Sequence, residues 1–519
     1  MMEDFQIKMM SASWRICRWF FWQILLFYCM PYLWLNHYDS ATVVLILLYT
    51  TSFSVYWEFA SEANRFRSLW IPYLSYCAIA VTLCCSIETW NASILFSLLI
   101  PLYGAACVLL TRGSERLFQR FRKGNKYGWI VTVAALVIFL VSLKIIGVSW
   151  ESSRQGTPEM EKNEMLARRN YLLGKLLLTP EEVLNEMPSS IGVQFQGEWA
   201  LYSCSMLSAA LVDMSKLYPE TRQENLQYID SLISIVMSPE LSYYDYLRWG
   251  EDPLESLDGD ESHISYLSHL AWMMCGYKQL GGDSKYDKSL SDLCRTMNRR
   301  ILNSDCMNLP TYPGESIYIP DMLVAIVALN KYAELNNGKY RSTVRKWINR
   351  AAEEWLDEKT GLLVSFLQED GTQYEDVPVK GSYSALNCYY LTFIDPQFAK
   401  EQYKTLKSLF WKDGIIAGLK EYHDRRCYLG VDIDAGPILF ELSPSGTAFM
   451  TGAATYFNDS SIRKDILRTA EIAGHSVRHD GKQHYLLANL ALVGESIMLA
   501  MRTHFKLLQT NILINISQD

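Results

Sequence analysis

Two hydrophobic rhythms follow one another along the chain. Over the first 150 residues apolar positions run on for about 20 at a time, at roughly 16–36, 41–60, 69–88, 91–111 and 128–148. Each run matches the ~20 residues a helix needs to cross a bilayer. From about residue 197 the rhythm becomes one of paired helices: an apolar-faced helix, a short turn, then a more charged helix. The turns are Tyr218-Pro219, Gly281-Gly282-Asp283, Asn336-Asn337-Gly338, Asp395-Pro396 and Asn458-Asp459, spaced roughly every 55 to 63 residues. That period is too long for tetratricopeptide or HEAT repeats. Longer polar connections join one hairpin to the next, over roughly 238–260, 304–317, 357–381, 412–445 and 476–483.

Inner-then-outer helices at this spacing predict an all-α fold, an (α/α)6 toroid of six hairpins preceded by about five transmembrane helices. The chain then divides into a transmembrane region (1–150), a connecting helical arm (151–190) and the barrel (191–519). The long connections are expected at one end of the barrel, over its central cavity. Two of them, around Leu362–Leu367 and Ile415–Tyr428, alternate in the manner of β-hairpins. The last helix, about 483–503, is expected to pair with the arm or with the C-terminal tail.

Charge orients the membrane region. Lys8, Arg15 and Arg18 precede or enter the first run, and Arg65 and Arg67 follow the second. Arg112, Arg116, Arg120, Arg122, Lys123 and Lys126 follow the fourth, whereas the loops after the first and third runs carry neither Lys nor Arg. Basic segments mark the cytoplasmic side, so five spans place everything after Trp150 outside the cytoplasm. The net charge of −8 argues against nucleic acid as a partner and leaves the lipid bilayer as the expected one. Six cysteines lie in or near the apolar runs and six in the outer domain; no spacing dictates pairing, and no CxxC or metal-finger pattern occurs.

The densest chemistry lies in Trp249–His269. This stretch crowds Trp249 and six acids, among them Glu251 and Asp252, ahead of an apolar helix carrying His263, Tyr266 and His269. A solvated acidic loop with Asp260 as helix N-cap, and a histidine satisfied in the core, is the plain alternative. Similar polar groups enter the other hairpins. Glu198 and Trp199 begin the first; Tyr312, Glu315, Tyr318 and Asp321 enter the third; Tyr383 enters the fourth; His423, Asp432 and Asp434 precede the fifth. Acids, His and Tyr from five distant segments at one mouth suit general acid–base chemistry. No P-loop, nucleophile elbow or dinucleotide fingerprint is present, so no cofactor and no metal is expected.

Asp-Pro-Leu-Glu (252–255), Tyr266-Leu-Ser-His269-Leu and Gly276-Tyr-Lys-Gln-Leu-Gly281 resemble the linalool dehydratase/isomerase family. So do Pro313-Gly-Glu-Ser-Ile-Tyr-Ile-Pro-Asp321, Asp395-Pro-Gln-Phe398 and Asp432-Ile-Asp-Ala-Gly436, and the similarity covers about 195–505. The resemblance implies an (α/α)6 barrel working outside the cytoplasm that adds, removes or shifts a hydroxyl on an allylic alcohol without a cofactor. It places the family's histidine at His269. The two cysteine positions fall near Tyr312 and Asp321, and the family's Asp is matched by Glu198. Catalytic roles are therefore expected at His269, Asp321, Glu198 and Tyr312. Substrate contacts are expected at Trp199, Trp249, Glu251, Asp252, Glu315, Tyr318, Tyr383, His423, Asp432 and Asp434. The substrate is a hydroxylated lipid or terpenoid-like alcohol on this reading. A glycan-active six-hairpin enzyme and a non-catalytic envelope ligand-binding module are the alternatives.

Overall fold

The structure, a computed structural model, describes residues 158–506 except 189–191, 415, 426–428, 433–434 and 440. The five apolar runs, Cys427 and Asp434 lie outside the described residues. These residues fall within one compact unit, 154–519. Over 158–506 the chain is 63% helical with fourteen helices, which makes it all-α. Among the described residues no helix is long and apolar enough to cross a membrane.

The helices are α1 (Pro158–Leu176), α2 (Pro180–Asn185), α3 (Val193–Leu217), α4 (Arg222–Val236), α5 (Pro239–Trp249), α6 (Ile264–Gln279) and α7 (Asp287–Asn303). They continue with α8 (Ile319–Leu335), α9 (Arg341–Glu354), α10 (Gly381–Leu391), α11 (Pro396–Phe410), α12 (Pro444–Tyr456), α13 (Ser460–Gly474) and α14 (Leu492–Thr503). Helix α3 packs on α6, α6 on α8, α8 on α10, α10 on α12, α12 on α14, and α14 returns to α3. Six helices thus close a ring. A second helix lies against each: α4, α7, α9, α11 and α13 follow the inner helices in sequence, and α1 packs on α14 and α3.

The two layers differ in sequence for a physical reason. An inner helix meets neighbours on both flanks and an outer helix behind, so it is apolar nearly all round. In α8 every residue from Ile319 to Leu329 is buried. An outer helix buries one stripe only. In α7 this is Leu290, Leu293, Cys294, Met297 and Ile301, at steps of three and four. The turns between the layers fall at all five expected places. Two are capped as their sequences require: Asp395, before Pro396, accepts from the amides of Gln397 and Phe398 at 3.0 Å each, and Asp459 accepts from Ile462 N at 3.3 Å.

Two local expectations are corrected and a third is extended. Residues 239–249 form the helix α5, started by Ser238 and Pro239, so Trp249 ends a helix and does not belong to a long loop. Asp260 does not cap α6; its carboxylate accepts from Arg299 at 3.0 Å, and the residue before α6 is His263 in a left-handed conformation, φ 46°. The stretch around 362–367 pairs locally, as expected, through the antiparallel bridges Leu356–Leu363 and Leu367–Gln373, and also at a distance: β1 (Ile317–Tyr318) runs antiparallel to β2 (Phe366–Leu367). Further antiparallel pairs are β3 (Trp411–Lys412) with β4 (Gly418–Leu419), β5 (Gly430–Asp432) with β6 (Gly436–Ile438), and β7 (Ser476–His479) with β8 (Lys482–Tyr485). Each lies in a connection that precedes an inner helix, and so at the end of the ring where α6, α8, α10, α12 and α14 begin.

Candidate functional site

The mouth of the ring collects side chains that the chain keeps far apart. Asp321 occupies the first turn of α8 and is 7% exposed. Its Oδ1 accepts from the Tyr202 hydroxyl at 2.7 Å, and its Oδ2 from Thr311 Oγ1 at 2.7 Å. Tyr202 comes from α3. Burial and the Asp321 carboxylate push its hydroxyl well above the usual range, so it remains a donor. The Tyr390 hydroxyl of α10 is buried and is raised by burial and by Asp321. Three inner helices and the connection before α8 therefore converge on one carboxylate.

His269 lies beside this group. It is fully buried in α6, and its ring centroid is 4.2 Å from that of Tyr202. Nδ1 is 2.7 Å from Ser205 Oγ, while Nε2 is buried without a hydrogen-bond partner. Burial pushes the imidazole down to about 3, so it is neutral at physiological pH. Glu198, Tyr202 and Ser205 stand at i, i+4 and i+7 of α3 and share one face. Tyr312, 6% exposed, has its hydroxyl raised by burial and then by the Glu198 carboxylate. The Arg248 guanidinium lies 3.8 Å over the Tyr312 ring and pairs with Glu315 at 3.2 Å. Tyr244 of α5 is raised by burial, Asp245 and Glu198. It fits there because position 197 is glycine: a Cβ at Gly197 would stand 2.5 Å from Tyr244 Cβ. Thus Glu198, Asp321, His269 and Tyr312, all expected in catalytic roles, occupy one neighbourhood with Tyr202, Tyr244 and Tyr390.

A second group lies around the start of α10. Lys380 pairs with Asp432 at 2.8 Å and stands 4.8 Å over the ring of Tyr383. Tyr318 packs on Phe366 and Tyr383, with centroids 5.0 and 6.2 Å away, and donates to Glu315 at 3.4 Å. Glu421 is fully buried, accepts from Ser382 Oγ at 2.8 Å, and is pushed upward by burial. His423 is half-buried with its ring 5.6 Å from Phe410. Glu315, Tyr318, Glu369, Asp370 and Tyr374 line an open groove of about 800 Å³.

The remaining expected contacts serve their own loop. His263 is buried, with Nδ1 2.5 Å from Asp245 Oδ2 and Nε2 3.2 Å from Glu251 Oε1, and the Trp249 ring lies 5.3 Å away. Asp252 Oδ1 accepts from the amides of Leu254 and Glu255 at 2.8 and 3.1 Å. Trp199 is half-buried against the core. The stretch Trp249–His269 therefore splits into a pinned loop, held by His263, and a buried end at His269 with one nitrogen unpartnered.

Sequence reasoning missed Tyr202, Thr311, Ser205, Tyr390, Arg248 and Glu421. The signal for Tyr202 and Ser205 was present, as the helical face shared with Glu198. Thr311 and Glu421 sit in connections where no periodicity assigns a face. Among the described residues no group of three or more His, Cys, Asp or Glu is placed to hold a metal ion. Cys204, Cys275, Cys294, Cys306 and Cys388 are buried free thiols. No protein-family model matches the chain, and no curated protein matches it either.

Proposed function

We propose that the protein is an acid–base lyase or isomerase acting on a hydroxylated lipid or terpenoid-like alcohol, carried on an (α/α)6 toroid. The observation that carries this reading is the juxtaposition of a neutral His269, its Nε2 unpartnered, with an Asp321 carboxylate fixed by Tyr202 and Thr311. The closed ring of six inner and six outer helices supports the toroid. The sequence resemblance to linalool dehydratase/isomerase, at residues drawn together in this site, supports the reaction class.

In this mechanism Glu198, facing the tyrosine hydroxyls, protonates the leaving oxygen, and Tyr312 orients that oxygen. With Nδ1–H donated to Ser205, His269 presents an Nε2 lone pair that takes the proton from the adjacent carbon as the C–O bond breaks. Asp321, an acceptor while ionised, holds Tyr202 and offsets the positive charge that develops on carbon. Buried aromatic walls suit a largely apolar substrate. The apolar runs anchor the domain, and their charge bias places it outside the cytoplasm; a reporter fused after Asp519 that works only in the cytoplasm would refute that placement.

The deciding experiment incubates the purified full chain with a panel of allylic alcohols in deuterated water, followed by gas chromatography and mass spectrometry. Loss of the hydroxyl as water, or its migration, is the expected result, with deuterium entering the neighbouring carbon wherever the new double bond is rehydrated. A panel left unchanged while glycans are cleaved would replace this reading by the second one. That alternative, a glycan-active enzyme, draws its support from the open groove with its acids and two tyrosines.

A further inference from the structure

His269 faces the reaction with Nε2, but its other nitrogen leads elsewhere. Behind Ser205, toward the end of the ring away from the mouth, a cavity of about 20 Å³ lies between α3, α6 and α8. That is room for about one water molecule. Ser205, Ser208, Asp213 and Lys216 line it from α3, Gln279 from the last turn of α6, and Lys331 from the second half of α8. The space exists because residue 276 is glycine: a Cβ there would come 2.8 Å from Val212 Cγ2 and 3.8 Å from Ser208 Oγ. Ser208 is 1% exposed, and its Oγ has no hydrogen-bond partner. A buried hydroxyl beside a polar void of that size calls for a water. At the outer end, Asp213 accepts from Lys216 at 2.7 Å and from His504 Nδ1 at 3.0 Å. The Lys216 side chain is 41% exposed, so the cavity reaches the surface there.

We infer that this cavity holds a water joining Ser205 to Ser208, and that it gives His269 a proton outlet to solvent opposite the mouth. The inference rests on His269 acting as the base of the proposed reaction. The proton count closes as follows. Nε2 gains the proton taken from substrate carbon, and the C–H electron pair becomes the new π bond. Nδ1 gives its proton to Ser205 Oγ, and the Ser205 hydroxyl proton passes to the water and on to bulk solvent past Lys216. The imidazole ends as the other neutral tautomer; between turnovers the Nε2 proton passes by way of the product water at the mouth to the Glu198 carboxylate, which gave its own to the leaving oxygen, and a solvent proton returns through Ser205 to Nδ1. At no stage does it hold two protons, which suits a ring whose burial disfavours the cation. Asp213, drawn down to about 2 with Lys216 and His504 as partners, orients the water and does not store the proton.

The test follows exchange of the His269 ring N–H with solvent, in the full chain labelled with ¹⁵N-histidine and transferred to deuterated water. The resonance is assigned by its loss in His269→Gln. Ser208→Val, which removes the hydroxyl and fills the cavity, is expected to slow exchange about tenfold or more, since exchange must then await local opening. An unchanged rate in Ser208→Val overturns the outlet. If that variant does not fold, a wild-type crystal structure decides: a water bonded to Ser205 and Ser208 supports the outlet, and a dry cavity overturns it. Neither readout needs an alcohol to be turned over, so failure of the outlet and failure of the proposed reaction are separate results.

Discussion

Two regions of the ring bury charge, and they do so differently. At the seam where α1 meets α14, opposite charges meet directly. Arg168 donates to Glu495 at 2.6 Å and to Glu164 at 3.0 Å, and Arg502 donates to the same Glu164 oxygen at 2.6 Å. Ser476 accepts from Arg168 at 2.6 Å, and the Tyr485 amide donates to Glu495 at 2.9 Å. Despite burial, the arginines hold Glu164 well below the usual carboxylate range. At the mouth, by contrast, Asp321 is met by two hydroxyls, and the nearby histidine is neutral with a nitrogen unpartnered. The seam joins the first described helix to the last, where α1 backs the α14–α3 contact that closes the ring. The mouth leaves polar atoms for a ligand to satisfy. Balanced buried charge reads as architecture, and buried polarity without matching partners reads as chemistry.

The sharpest way to break this contrast is to remove one group from each region. Asp321→Asn is expected to lower turnover of the alcohol by roughly 10²–10³, while the melting temperature stays close to wild type; a large fall in melting temperature with activity retained would make Asp321 structural. Glu495→Gln at the seam should do the opposite. Neutralising one partner of a buried pair costs about 3–5 kcal/mol of stability, read in denaturant unfolding of the full chain, with kcat of the surviving folded protein unchanged.

Acid separates the regions more finely. The His269 ring titrates near 3 in the folded chain, against 6.5 for an ordinary histidine. Between those values the unfolded chain binds a proton that the folded one does not. Stability is therefore fully kept above pH 6.5 and falls as pH drops toward 3, by about 1.4 kcal/mol per pH unit from this one group. His269→Gln should remove that slope between pH 6 and 4.5, and equal slopes in the two proteins would show that the ring is not buried neutral. Asp213, drawn down to about 2 from 3.8, adds a loss only below pH 4. The smallest effect expected is that of Tyr202→Phe. It deletes one donor to Asp321 and should cost about tenfold in kcat, near the lower end of the ~1.5–3 kcal/mol of a hydrogen bond to a charged group. No change in kcat would place the Tyr202 hydroxyl outside the reaction.

Much of the architecture was legible because its causes are local. The alternation of all-round apolar and one-striped helices reports how many neighbours each helix has. The turns at Tyr218-Pro219 and Asp395-Pro396 announce themselves by residues that end or cap helices. The arm was harder. Its helix α1 carries Arg168 and Arg169 among its buried residues, so no apolar stripe marks it as the sixth outer helix, and its counter-charge Glu495 lies 327 positions away. Helix α5 was hidden by the polar residues around it.

The candidate site was legible as a list of residues and not as an arrangement. His263 and His269 look alike in sequence, six residues apart before and within one helix. Packing ties both nitrogens of His263 to carboxylates and leaves one nitrogen of His269 unpartnered. Glu315 and Asp321 both enter the third hairpin, yet one pairs with Arg248 and the other is gripped by Tyr202, which lies 119 positions earlier. The sequence by itself determined the paired helices of the hairpins, their turns, their inward faces and the end of the ring at which polar groups gather, because periodicity and capping act over a few residues. Only the tertiary structure decided which acid meets a hydroxyl and which meets a cation, which histidine keeps an unpartnered nitrogen, and that a cavity lies behind it. Those properties belong to pairs of groups from distant segments, and their energies depend on burial that no single segment creates.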